Sequence, residues 1–262
     1  EGRLSLVASL CAICLFLLVV SLSVRQVTAP THALPVLESG IAVVTDVNQL
    51  VADQAPPARE QAQTSSDQFF TLPGYPLDVA LSRSELLGLG EEQLAALLLQ
   101  RSAALVYAEG LGAFDRTGEQ SFDRFSSQGL VELAVGQVSR STHGRATTAA
   151  IFFLLATALF AILLVIIAAG WTRLRGLGVA IAVGAVPGLL IFAGLSRLVG
   201  NLGGADPFES DLREISSTVL RVPVRNFGIV VITGIMLVTA SYVLPLIERR
   251  LPGAARDELP AE

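Results

Sequence analysis

Four stretches of this chain are apolar almost without interruption: Leu4 to Val24, Thr147 to Gly170, Leu177 to Val199 and Phe227 to Ile247. A helix needs about 20 apolar residues to cross the hydrocarbon core of a bilayer, and each stretch meets that length. The pattern predicts transmembrane helices at 4–24, 147–170, 177–199 and 227–247. The first is read as a signal anchor, because its apolar core is longer than the usual ~7 to 15 residues of a signal peptide.

Between the first two spans the pattern changes. Residues 25–146, roughly 120 in number and so domain-sized, carry apolar positions at helical spacing among polar ones. In "LESGIAVVTDVNQLVADQ", Leu37, Ile41, Val44 and Val51 share one helical face, with Val47 and Leu50 beside it. The stretch 55–68, "APPAREQAQTSSDQ", is polar and proline-broken and reads as a mobile linker. "TLPGYPLD" is a turn with two prolines. Ser82 and Glu85 have capping-box spacing ahead of "LLGL". Residues 91–111 are rich in Ala, Leu, Glu and Gln and predict a strong helix. The overlapping stretch from Gln93 to Phe114 is apolar enough to suggest a fifth span. Gln100, Arg101 and Glu109 argue for a core helix instead, since a charge at mid-span costs about 2.5 to 3.5 kcal/mol. A further helix is expected over 119–140, with Phe122, Phe125, Leu130, Leu133 and Val138 as its apolar positions, running on into the second span after a break at Gly144.

The link 200–226 holds Phe208, Leu212, Ile215 and Val219 at alternating helical spacing opposite a charged face. This predicts a short amphipathic helix, lying on the membrane surface or capping the larger domain. Residues 248–262 form a tail. The fold class that follows is an all-α polytopic membrane protein, with four transmembrane helices and a mainly helical extracytoplasmic domain between helices 1 and 2.

Composition strengthens this picture. The chain has 262 residues, 52% of them hydrophobic, and a mean hydropathy of +0.61, too apolar for an ordinary soluble domain. All 18 basic residues are arginine. A net charge of −5 with no basic stripe gives no footprint for nucleic acid. The first residue is Glu1, not Met, so preceding sequence is expected.

Charge placement suggests an orientation. Arg173 and Arg175 lie in a link of six residues, 171 to 176, and that density points to the cytoplasm. Segment 26–146 has seven Arg against fourteen Asp and Glu, hence a charge of −7, which suits the outside. Four spans put both termini on one side. The expectation is a multi-pass protein of the cell membrane, with both termini cytoplasmic and the large loop outside. Arg213, Arg221 and Arg225 in the 200–226 link run against a clean rule.

Candidate chemistry is sparse. Cys11 and Cys14 are spaced as CxxC, but they lie about 10 to 15 Å into the first span. A thiol in hydrocarbon is a poor nucleophile and ligand, and two cysteines on one helix cannot close a four-ligand zinc site. Four-span membrane thiol oxidoreductases need a pair near the outer surface and further cysteines. Here the pair reads as small hydrophobes. His32 and His143 flank the outer loop and with Glu38 offer a weak metal candidate; surface histidines near headgroups are commoner. Nucleophile-elbow, zincin, Walker A and Rossmann fingerprints are absent. The span interiors lack Asp, Glu, Lys and His, and Arg197 lies at a span edge where it can snorkel. Intramembrane ionisable groups usually mark transport pathways, so a channel or transporter built from this chain alone is disfavoured. No catalytic, cofactor-binding or metal residue is assigned, and no cofactor.

Gly184 and Gly188 flank Pro187 with GxxxG spacing, which lets two helices approach closely. Packing within the four-helix set is the first reading and a seam between copies the second. The layout resembles, in topology, the permease-like subunits of cell-division and lipoprotein-export ABC systems. Those place a coupling helix between spans 2 and 3, and "WTRLRG" is too short for one. The chain is not assigned to that family. The leading expectation for function is a non-catalytic anchoring, scaffold or accessory subunit whose outer domain contacts a protein partner. A ligand-binding sensor acting through a separate cytoplasmic partner and an extracytoplasmic enzyme are the alternatives.

Overall fold

The computed structural model describes residues 2–113, 138–201 and 207–250. The described chain is helical apart from one small strand pair. Its elements are α1 (Gly2–Val27), α2 (Pro30–Val44), α3 (Val47–Thr64), β1 (Phe69–Phe70), β2 (Leu81–Ser82), α4 (Arg83–Gly88), α5 (Glu91–Glu109), a 3₁₀ turn (Gly110–Ala113), α6 (Arg140–Ile167), α7 (Thr172–Asn201) and α8 (Pro207–Arg250). Strands β1 and β2 pair antiparallel, Phe69 opposite Ser82 and Phe70 opposite Leu81.

Four helices are long and apolar enough to cross a membrane: Leu4–Val27, Arg140–Ile167, Thr172–Asn201 and Ser216–Ile247. The described chain divides into two compact units. The first takes Glu1–Ser23, Thr147–Arg197 and Leu220–Glu262, and the second takes Val24–Ala146 and Leu198–Val219.

Small residues build the first unit. Gly178 and Gly234 are buried against each other's helices, α7 and α8. Gly184 lies against the backbone of Ala12 in α1, and Gly188 against the ring of Phe227 in α8. Phe227 is fully buried. Its ring stacks on Phe192 with centroids 5.7 Å apart and tilts against Phe16 at the same separation. Gly184 and Gly188 therefore serve helix packing inside this chain. Cys11 is buried beside Leu164 and Ala180, and both cysteines are free thiols. In hydrocarbon such helices gain little from apolar burial, so close backbone approach through small residues supplies the packing. Outward, Phe152, Leu155, Ile166, Leu190 and Met236 are exposed, and the apolar windows are only 11 to 33% buried. That surface needs an apolar solvent.

The second unit has its own core, drawn from α2, α3, the β pair, α4 and α5. Helix α5 packs against α2 and α3. Leu94, Leu98, Ser102 and Val106 of α5 recur every four residues and are fully buried. This helix is thus a core helix and not a fifth span. Ser82 accepts a bond from the Glu85 amide, and the Glu85 carboxylate accepts one from the Ser82 amide, completing the predicted capping box that starts α4.

Several boundaries differ from the sequence pattern. The helix expected through 37–54 is broken at Thr45–Asp46, where the Asp46 carboxylate accepts a bond from the Gln49 amide and starts α3. The linker expected at 55–68 is helical as far as Thr64. Ala55, Ala58 and Ala62 form a buried stripe that holds it. Pro56 and Pro57 face solvent, and the carbonyls they leave unpaired belong to exposed Ala52 and Asp53, where water can bond them. Gly144 does not break the chain: α6 starts at Arg140, where Ser139 Oγ accepts from the Thr142 amide, and runs through. The helix expected over 119–140 falls almost wholly on residues 114–137, outside the described residues. In the 200–226 link the expected short helix is continuous with the fourth span, as one 44-residue helix, α8. Arg221 and Arg225 mark a change of polarity there, and a change of polarity does not end backbone hydrogen bonding. The side chains of Phe208, Leu212 and Ile215, and residues 251–262 of the tail, lie outside the described residues.

Candidate functional site

The polar side chains of the second unit fall into three groups. In the first, arginines hold α4. Arg101 grips the Glu85 carboxylate with both terminal nitrogens, at 2.6 and 3.0 Å, and also donates to the Ala80 carbonyl at 2.7 Å. Arg59 of α3 donates to the carbonyls of Leu86 and Leu89 at 2.9 and 2.7 Å, which end α4. A six-residue helix is too short to stand alone. Here a carboxylate sits in its first turn and a cation at its last carbonyls, as the helix dipole favours.

The Arg101 guanidinium and the Ser82 bonds hold the Glu85 carboxyl well below the usual carboxylate range, at about 2. A folded-state pKa below the unfolded value stabilises the fold above the unfolded pKa, near 4.3, and that stabilisation is lost as pH falls toward 2. Both side chains are partly exposed, 38% for Arg101 and 27% for Glu85, so solvent screening limits the pair to about 1 kcal/mol. Glu85→Gln is expected to lower the unfolding midpoint at pH 7 and to match the parent protein near pH 2. A pH series of thermal melts checks this; a gap between the two proteins that does not narrow on acidification would contradict it.

The second group joins three helices. Tyr107 Oη, near the end of α5, donates to the Thr28 carbonyl just past α1 at 3.0 Å. His143 Nδ1, in the first turns of α6, lies 3.1 Å from the Arg25 carbonyl and 3.3 Å from Thr28 Oγ1. The Thr28 hydroxyl itself donates to the Val24 carbonyl at 2.7 Å. A carbonyl only accepts, and the Thr28 proton is already used. Both contacts therefore place a proton on His143 Nδ1. Burial pushes the Tyr107 phenol up, with Arg140 pulling the other way. Deeper in the unit, the Tyr75 and Ser102 hydroxyls pair at 2.6 Å, and burial outweighs that bond in raising the Tyr75 phenol.

The third group is a surface hollow of about 340 Å³, where Asp46, Gln49, Asp53 and Gln54 face the Pro73–Gly74 turn. Gly74 has φ +78°, a left-handed turn conformation that a side chain would strain. The hollow is open and acidic.

Of the residues singled out from sequence, His143 is built into the helix junction, His32 is exposed and Glu38 half-buried. Among the described residues no three His, Cys, Asp or Glu side chains converge as metal ligands. In the first unit, Asn226 Nδ2 donates to Ser23 Oγ at 3.1 Å, a polar clasp between α8 and α1. Sequence reasoning missed Thr28, Arg59, Tyr107 and Asn226. Each is a single polar residue whose partner is remote in sequence, so no spacing signals it. No family model matches this chain, and neither a curated protein nor a solved structure matches it.

Proposed function

We propose that the chain is a non-catalytic anchoring or accessory subunit of the cell membrane. Its segment 25–146 stands outside and contacts a protein partner, and both termini are cytoplasmic. The observation that carries the reading is how the second unit spends its polar groups. Arg59, Arg101, Glu85, Tyr75, Ser102 and Tyr107 all bond within the unit and hold its helices. The open acidic hollow beside α3 faces outward. An acidic surface suits docking of a basic partner surface. The apolar faces of the four long helices supply the anchor.

Purification in mild detergent followed by mass spectrometry is expected to yield a stoichiometric partner. Asp46→Arg with Asp53→Arg is expected to reduce its recovery by about tenfold. Recovery of the protein alone, or a partner indifferent to both reversals, would sink the proposal.

The orientation has a separate test. Ser66 is exposed in the second unit and Thr172 at the start of α7. Ser66→Cys is expected to react with a membrane-impermeant maleimide on intact cells, and Thr172→Cys only after permeabilisation. The reverse pattern would invert the proposed topology.

A further inference from the structure

The turn between α6 and α7 encloses a groove of about 410 Å³, lined by Val165, Gly170, Trp171, Arg173, Leu174 and Leu177. Its walls are mainly apolar, and Trp171 and Arg173 are among the residues that line it. Gly170, at φ +57°, reverses the chain after α6 and opens the space. Arg173 Nε donates to the Ala168 carbonyl at 2.8 Å, which fixes the guanidinium at the groove and leaves its two terminal nitrogens to point elsewhere. Two residues on, the Arg175 guanidinium lies 5.2 Å from the centre of the Tyr242 ring, held by cation–π attraction. Two positive groups are thus fixed at the shared end of two helices that are long and apolar enough to cross a membrane. Ile166 and Trp171 are exposed. An exposed tryptophan at the end of an apolar helix belongs at the headgroup level.

We propose that this groove binds one anionic phospholipid. Its phosphate meets Arg173, and the upper part of an acyl chain lies along Val165, Leu174 and Leu177. Charge complementarity selects the headgroup: a zwitterionic lipid would bring its own ammonium toward the Arg173 guanidinium, and an anionic lipid brings none. The apolar walls select a lipid over a free phosphate, which would leave them facing water. The groove is too small for a partner helix, which is about 10 Å across with its side chains. The site works in whichever leaflet the turn occupies, so it stands apart from the orientation proposed above.

Trp171 is the sole tryptophan of the chain and lines the groove, so its fluorescence reports on the occupant directly. The full-length protein is reconstituted into phosphatidylcholine vesicles, and bromine-labelled lipids are added at matched mole fractions. Brominated phosphatidylglycerol is expected to occupy the groove about fivefold more than brominated phosphatidylcholine, the preference that roughly one arginine–phosphate attraction supplies. Arg173→Gln is expected to bring the two lipids close to parity, and Arg173→Lys, which keeps the charge, to retain a preference. Arg197→Gln, at the other end of α7, is expected to leave it unchanged. Equal quenching by the two lipids overturns the proposal, as does a preference that survives Arg173→Gln. Loss of the preference in a folded Arg173→Lys protein overturns it too, and this arm holds even if Arg173→Gln fails to fold. Abolition by soluble glycerol phosphate would identify a site for a free phosphate anion and likewise overturn the lipid.

Discussion

Gly184→Ala is expected to destabilise the first unit, while Gly194→Ala on the same helix stabilises it. In a helix interior, replacing glycine by alanine gains about 0.8 to 1 kcal/mol from backbone entropy alone. Nothing lies within 4 Å of a Cβ placed at Gly194, so that gain is kept. A Cβ at Gly184 would stand 2.5 Å from the carbonyl oxygen of Ala12 and 3.0 Å from its Cα. Both are backbone atoms and cannot rotate away, so α1 must move. Overpacking of this kind costs about 1 to 3 kcal/mol, and a larger side chain costs more. Gly184→Leu is therefore expected to prevent α1 from docking on α7. Gly188 faces a different obstacle, the Phe227 ring, which an added Cβ would overlap. That ring is itself held by Phe16 and Phe192. Thermal unfolding of the purified protein in mild detergent distinguishes the cases. Equal midpoints for the Gly184 and Gly194 variants would show that α1 does not approach α7 as closely as the structure has it.

Leu98→Ala is expected to cost the second unit about 2 to 5 kcal/mol, through lost burial and the cavity left behind. Leu98 is fully buried at the middle of the α5 stripe. Leu87, exposed to 42%, is the matched control, and its alanine variant is expected within about 0.5 kcal/mol of the parent. Domains of this size hold only about 5 to 15 kcal/mol in total, so the Leu98 change removes a large share. Hydrogen exchange in α2, α3 and α5 reads the effect, because these helices share one core. Faster exchange throughout all three is expected for Leu98→Ala and none for Leu87→Ala. Unchanged exchange in both would mean that α5 does not form the core.

The arginines show why the site was harder to read than the spans. Arg101 argued from sequence that α5 is a core helix, and α5 does carry buried core residues of the second unit. Its grip on Glu85 could not be foreseen, since the capping-box spacing gives Glu85 a complete local role without it. His143 stood out as one of two histidines and invited a metal reading with His32 and Glu38. Its bonds to Thr28 and the Arg25 carbonyl span 115 and 118 residues, and no local pattern encodes such a distance.

The sequence by itself determined the four long apolar helices, the α5 core helix and the Ser82–Glu85 cap. Each of these is set by residues within a few positions of one another, through hydropathy, helical period or one local bond. Helix ends proved less legible where hydropathy and backbone bonding part company: α8 passes through Arg225, and α3 passes through Pro56 and Pro57. Only the tertiary structure decided which helix meets Gly184, where Arg59 and Tyr107 donate, and that Arg173 stands over an apolar groove. Those outcomes depend on backbones coming into contact after the helices have formed. Contact of that kind is a property of packed surfaces and leaves no period in the chain.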